Sequence, residues 1–191
     1  MDISDRCNEL EEMIDKLNEL LDDEIDVRVS TVNSNYITLL LYKDARVDQN
    51  ILDETVGKMN WQRDHKELKG NIYCGISIWD EEKHLWITKW DAGKESYTEA
   101  EKGEASDSFK RAGFNWGIGR ELYTSPFILI SRDNCNIKPT QNKKLTCTDK
   151  FYVEAIQIQN KEITGLAIRN KSLENKRVFV YKKEQVCKPQ E

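Results

Sequence analysis

The chain has 191 residues, of which 38% are apolar and 33% charged, with a formal net charge of −5. That length is enough for one domain with a proper core. No apolar run approaches the roughly 20 residues of a membrane span, and the acidic start at Asp2 is not a secretory signal.

Ile3, Cys7, Leu10, Ile14, Leu17 and Leu21 step by four and three, an a/d seam over nearly three heptads with Asp2 or Ser4 as N-cap. This predicts an acidic amphipathic helix over 1–26, packed on its own domain or on a neighbouring subunit. From Val27 the period changes to two and predicts a strand. Tyr36–Tyr42 is a continuous apolar run suited to a buried strand. Asp48 to Lys58 reads as a helix capped by Asp48, with Ile51, Leu52, Val56 and Met59 inward and Gly57 near its end. Trp61–Leu68, Asn71–Trp79 and His84–Trp90 follow as three antiparallel strands joined by polar turns.

A long helix is expected from Lys102 to Tyr123, with Ala105, Phe109, Ala112, Gly113, Trp116 and Gly117 along one face. Gly113 and Gly117 each cost a helix about 1 kcal/mol relative to Ala. Their spacing predicts a thin strip that seats the helix against the sheet or a neighbouring subunit, with Lys110 and Arg111 at its edge. Beyond Pro126 the pattern is β again. Phe127–Ile130 is a strand, Asp133 to Asp149 reads as a mobile loop, Phe151–Ile158 and Ile163–Ile168 form a hairpin, and Arg177–Tyr181 is a last strand. The expected fold is α+β: a β-β-β-α core over 27–126 with the N-terminal helix and a C-terminal β extension over 127–191 packed on the core.

The net charge hides an asymmetry. Met1 to Asp26 holds eleven acidic residues against Arg6 and Lys16, a balance of −9, whereas Lys102 to Glu191 holds seventeen Lys and Arg against ten acids, a balance of +7. A segregated basic half keeps a local positive surface open to a polyanion.

The five cysteines, at positions 7, 74, 135, 147 and 187, are scattered, and the histidines are His65 and His84. A structural zinc needs about four clustered ligands, so neither a metal nor a cofactor is expected. The thiols read as reduced in a cytosolic setting. No phosphate-cradling G-x-x-x-x-G-K-[ST] occurs, nor a nucleophile with a base. The chain reads as no enzyme. A metal-dependent nuclease built on Asp53, Glu54, Asp91, Glu104 and Asp107 is the catalytic alternative. An interaction or scaffold protein working through its acidic helix or C-terminal sheet is the non-catalytic one.

The segment K-G-x-x-S-D-S-x-K-R-A-x-x-x-W-G-I-G-R-x-L-Y, from Lys102 to Tyr123, resembles the signature helix of phage-type single-strand DNA annealing proteins. These belong to the superfamily of the eukaryotic recombination mediator Rad52 and the mitochondrial genome maintenance protein. The resemblance runs upstream through Trp86-Ile87-Thr88-Lys89-Trp90-Asp91, Cys74-Gly75-Ile76-Ser77-Ile78, Asn60-Trp61-Gln62 and Tyr42-Lys43-Asp44-Ala45-Arg46. It covers about Arg28 to Pro126.

The resemblance implies ATP-independent binding of single-stranded DNA and annealing of complementary strands in recombination and repair. The protein would act as a homo-oligomeric ring or helical filament in the cytoplasm of a bacterial host, with phage or prophage origin. A host single-strand-binding protein would be a further partner, and no membrane is involved. It also implies site residues. Lys110 and Arg111 match the adjacent Lys-Arg of the family helix, and Lys102 matches a lysine before it. Arg28 corresponds to an arginine ahead of the first tyrosine block, and Tyr42 to an aromatic of that block. Arg63 and Lys89, on the hairpins, would line the groove. Phe114 stands where the eukaryotic helix carries a further Arg.

Overall fold

A computed structural model of the chain describes residues 24–94 and 100–183. The helix expected over Ile3–Leu21 lies outside them. In chain order the elements are β1 (Asp26–Val32), β2 (Tyr36–Tyr42), α1 (Ala45–Thr55), β3 (Trp61–Leu68), β4 (Asn71–Asp80), β5 (Leu85–Ala92) and α2 (Ala100–Trp116). They continue as β6 (Ile128–Ser131), β7 (Ile137–Pro139), β8 (Leu145–Cys147), β9 (Phe151–Gln159), β10 (Glu162–Asn170) and β11 (Lys176–Lys182). The fold is α+β. The chain divides into two compact units, one over Asp44–Arg120 and one made of residues 24–43 with 121–183.

In the first unit β3, β4 and β5 form an antiparallel sheet in that order, and α2 packs across β4 and β5. The β3–β4 hairpin closes through Lys69 and Gly70, both at positive φ, the two-residue turn whose twist suits paired strands. Strand pleating sends alternate residues to opposite faces. Cys74, Ile76 and Ile78 face the helix and are buried there with Phe109 and Ala112. Asp44, not Asp48, caps α1: its carboxylate accepts from the Arg46 backbone N–H at 2.8 Å. Asp48 lies one turn in and is fully buried. The helix begins three residues before the expected cap, and Asp44, the residue ahead of its first, takes that role.

The long helix stops at Trp116 instead of reaching Tyr123. Gly117 adopts φ +108°, its N–H donates to Phe114 O at 3.0 Å, and Ile118 N–H donates to Gly113 O at 3.1 Å. This is the Schellman stop, which glycine makes without a Cβ penalty. Gly117 therefore ends the helix and is not part of a packing strip. Gly113 does allow close approach, but toward α1: a Cβ there would lie 2.9 Å from an Asp48 carboxylate oxygen.

The second unit holds three small antiparallel sheets, ordered β1-β2-β6, β11-β10-β9 and β7-β8. Ile37, Leu39, Leu41, Ile128 and Ile130 are buried from the first sheet, and Ile163, Leu166 and Ile168 from the second. The expected mobile loop over Asp133 to Asp149 is instead the β7–β8 hairpin behind a short 3-10 turn. Asp149 fastens it, accepting from Asn136 N at 2.8 Å and from the side chain of buried Asn170 at 2.8 Å. Burial raises the Asp149 carboxyl, but hydrogen bonds from Asn170 and Asn136 outweigh it and leave the group below its ordinary value. The polar residues that suggest a loop are the ones that pin the hairpin.

Candidate nucleic-acid interface

Helix α2 is the element around which the cations of the first unit are arranged. One side is seated on the sheet by Ser108, Phe109 and Ala112, and by the Trp116 indole N–H, which donates to Ile76 O at 2.9 Å. Two further contacts fix its start. The Glu104 carboxylate accepts from Ile72 N–H at 2.7 Å, and Gly93 passes so near that a Cβ would lie 2.1 Å from Glu104 O. A helix held this way presents its remaining side chains from a rigid support, which a binding site needs.

Residues 110 and 111 are adjacent, so a helix turns them about 100° apart. Arg111 leans toward β5, its Nε 3.3 Å from an Asp91 carboxylate oxygen, and keeps 40% of its side chain exposed. Lys110 lies toward α1. The carboxyl of Asp44 is lowered first by its hydrogen bonds from Arg46 and in smaller part by the charge of Lys110. Arg63, exposed on β3, rests its guanidinium 5.2 Å above the Phe109 ring. Lys102 falls in the first turn of α2.

Lys89 is turned to the far end of the helix. Its ammonium donates to Asn115 O at 3.0 Å and sits 4.1 Å over the Trp116 ring. Burial, with the nearby Arg120, pushes its pKa below the usual lysine value. Arg120, which the sequence reading did not single out, closes the same helix end. It donates to Phe114 O at 2.9 Å and Asn115 O at 3.2 Å, with its guanidinium 5.4 Å from the Phe114 ring. The signal was present: an arginine just beyond a Gly-x-Gly stop is placed to reach the last carbonyls of a helix.

Arg63, Lys89, Lys110 and Arg111 thus belong to one compact unit around α2. Arg28 and Tyr42 belong to the other, where β1 and β2 place the guanidinium 5.6 Å over the phenol ring. Among the described residues, no group of three or more His, Cys, Asp or Glu could hold a metal ion. No helix among them is long and apolar enough to cross a membrane.

Cations set on aromatic rings and on helix carbonyls keep their charge available to an external anion. Such a set suits a phosphodiester backbone, which is bound mainly by charge. Compared one by one with curated proteins, the sequence matches none. The model of the Rad52/22 family double-strand break repair protein matches residues 9–141, well over half of the chain. The matched stretch includes α1, the three-stranded sheet and the whole of α2. With this match and this geometry, the chain belongs to the Rad52/22 family of double-strand break repair proteins, DNA-binding proteins of recombination and repair.

Proposed function

We propose that this protein binds single-stranded DNA and anneals complementary strands without ATP, as a homo-oligomeric ring or helical filament in the cytoplasm of a bacterial host. The observation that carries the reading is the set of cations around α2. Lys110 and Arg111 occupy adjacent edges of a helix fixed at both ends, with Arg63 supported by Phe109. In this reading Lys110 and Arg111 contact phosphates directly, and Arg63 and Lys102 extend the track. Lys89 holds the helix end in place. Arg28, stacked on Tyr42, offers a further contact from the second unit. Phosphate contacts fix a strand without reading its sequence. Base edges are then free to meet a second strand, and annealing makes or breaks no covalent bond. A host single-strand-binding protein fits as the partner that hands over the strand.

The test is annealing of two complementary labelled oligonucleotides followed by fluorescence, without nucleotide, alongside a mass measurement of the complex. Wild-type protein is expected to accelerate annealing and to lose affinity steeply with salt. Each phosphate contact to a single strand contributes about −0.7 to the slope of log affinity against log salt. The double variant Lys110→Ala, Arg111→Ala is expected to lose annealing at moderate salt and to flatten that slope by about 1.4. Intact annealing by the variant would refute the site, and a monomer that does not shift oligonucleotide would refute the function.

A further inference from the structure

We propose that the face of the β3-β4-β5 sheet turned away from α2 is a stacking platform for unpaired bases of single-stranded nucleic acid. The proposal rests on the single-strand binding proposed above and assigns it a second kind of contact.

Pleating places Trp79 and Trp86 as cross-strand partners on that face, with ring centroids 5.4 Å apart and planes 65° to one another. Two residues along, Ser77 and Thr88 share a hydrogen bond at 2.7 Å. Two further along, Gly75 stands opposite Trp90. A Cβ on Gly75 would lie 2.7–2.8 Å from three atoms of the Trp90 indole at once, so the ring lies face-down over the bare backbone. The Lys66 ammonium sits 4.3 Å from the centroid of that ring.

Trp86 and Trp90 remain 39% and 36% exposed. Trp86 is an exposed indole fixed on a strand, whereas the outer face of Trp90 carries the Lys66 ammonium, so a base stacks on Trp90 by displacing that ammonium toward its own phosphate: stacking for the base, positive charge for its phosphate. Asp64 shares the face, opposite Gly75, and moderates the charge without covering the rings. Residues 86 and 90 are about 13 Å apart along an extended strand. Stacked nucleotides rise about 3.4 Å each, so the rings address two separate bases. Stacking occupies the face of a base and leaves its pairing edge open, which annealing requires.

The experiment compares binding of the full chain to oligothymidylate and to an abasic strand of the same length. Wild-type protein should prefer oligothymidylate. Trp86→Ala should lose about tenfold on oligothymidylate, a typical worth for one stacked base, and nothing on the abasic strand, whereas Trp90→Ala, which also unseats Lys66, should lose more on oligothymidylate than on the abasic strand. The salt slope of Trp86→Ala should stay at the wild-type value, because no phosphate contact is removed.

Equal losses on both strands, no loss on either, or a changed mass of the unbound particle would overturn the platform. The last outcome would assign the rings to a contact between copies. Should Trp86→Ala not fold, Trp86→Phe decides. Oligothymidylate should quench its indole emission less than that of the wild type, and unchanged quenching overturns the proposal. If wild-type protein binds neither strand, the proposed function itself fails. If it binds with steep salt dependence while the tryptophan variants match it, only the platform fails.

Discussion

The two units support their cations by different means. In the first, Arg63 rests on Phe109, Lys66 on Trp90, Lys89 on Trp116 and Arg120 on Phe114. In the second, Arg169 and Arg177 share the Glu154 carboxylate at 2.6 and 2.5 Å, and Lys183 pairs with Glu162. A carboxylate cancels the charge it holds, whereas a ring positions a cation and leaves its net charge intact. The contrast has exceptions: in the first unit Arg46 pairs with Asp44, Lys83 with Asp80 and Arg111 with Asp91, and in the second Arg28 rests on Tyr42. The difference teaches where a polyanion meets uncompensated charge. It also shows that a basic stretch of sequence and a basic surface are separate things.

The largest way to break this comparison is through a ring that is both core and support. Phe109 is 1% exposed. Phe109→Ala is expected to cost about 3–5 kcal/mol, read from the denaturant midpoint. Below its melting range it should also weaken single-strand binding, because Arg63 loses its seat. A finer test sets Arg63→Ala against Arg177→Ala. The first should weaken oligonucleotide binding several-fold and flatten the salt slope by about 0.7. The second should leave binding unchanged and cost little stability, as surface pairs do. Equal effects on binding would erase the distinction between the units.

The smallest effect lies in acid. Hydrogen bonds from Arg177 and Arg169 hold the Glu154 carboxyl down to about 2, below its ordinary 4.5. A depressed carboxyl stabilises the fold fully above its unfolded value and loses that contribution as the pH falls toward the folded one. Stability should therefore decline through this group between pH 4.5 and 2. In Glu154→Gln that part of the pH dependence should vanish, as followed by thermal melts across the range.

The three-stranded sheet and its crossing helix were legible in the sequence because period-two and period-3.6 patterns are local. The end of α2 was misread for a local reason too. Gly117 carries no sign that separates a packing glycine from a helix stop, and only its backbone angle decides. The β7–β8 hairpin was hidden because Asp149 is satisfied by Asn136 and Asn170, and Asn170 lies 21 residues downstream. Lys110 and Arg111 were visible through a motif. Their different surroundings, toward Asp44 and Asp91, depend on elements distant in sequence. The pairing of Lys66 with Trp90 was out of reach for the same reason. It needs the register of two hairpins and the missing side chain of Gly75 between them.

The closure of α2 by Lys89 and Arg120 has an electrostatic consequence. A helix carries about half a positive charge at its start and half a negative charge at its end. Here the last carbonyls, Phe114 O and Asn115 O, are already occupied by cationic donors. The negative pole is muted from within, so an approaching polyanion is not repelled by the trailing end of the helix. Substituting Lys89 would then alter the field that guides a strand inward even though its ammonium faces the protein.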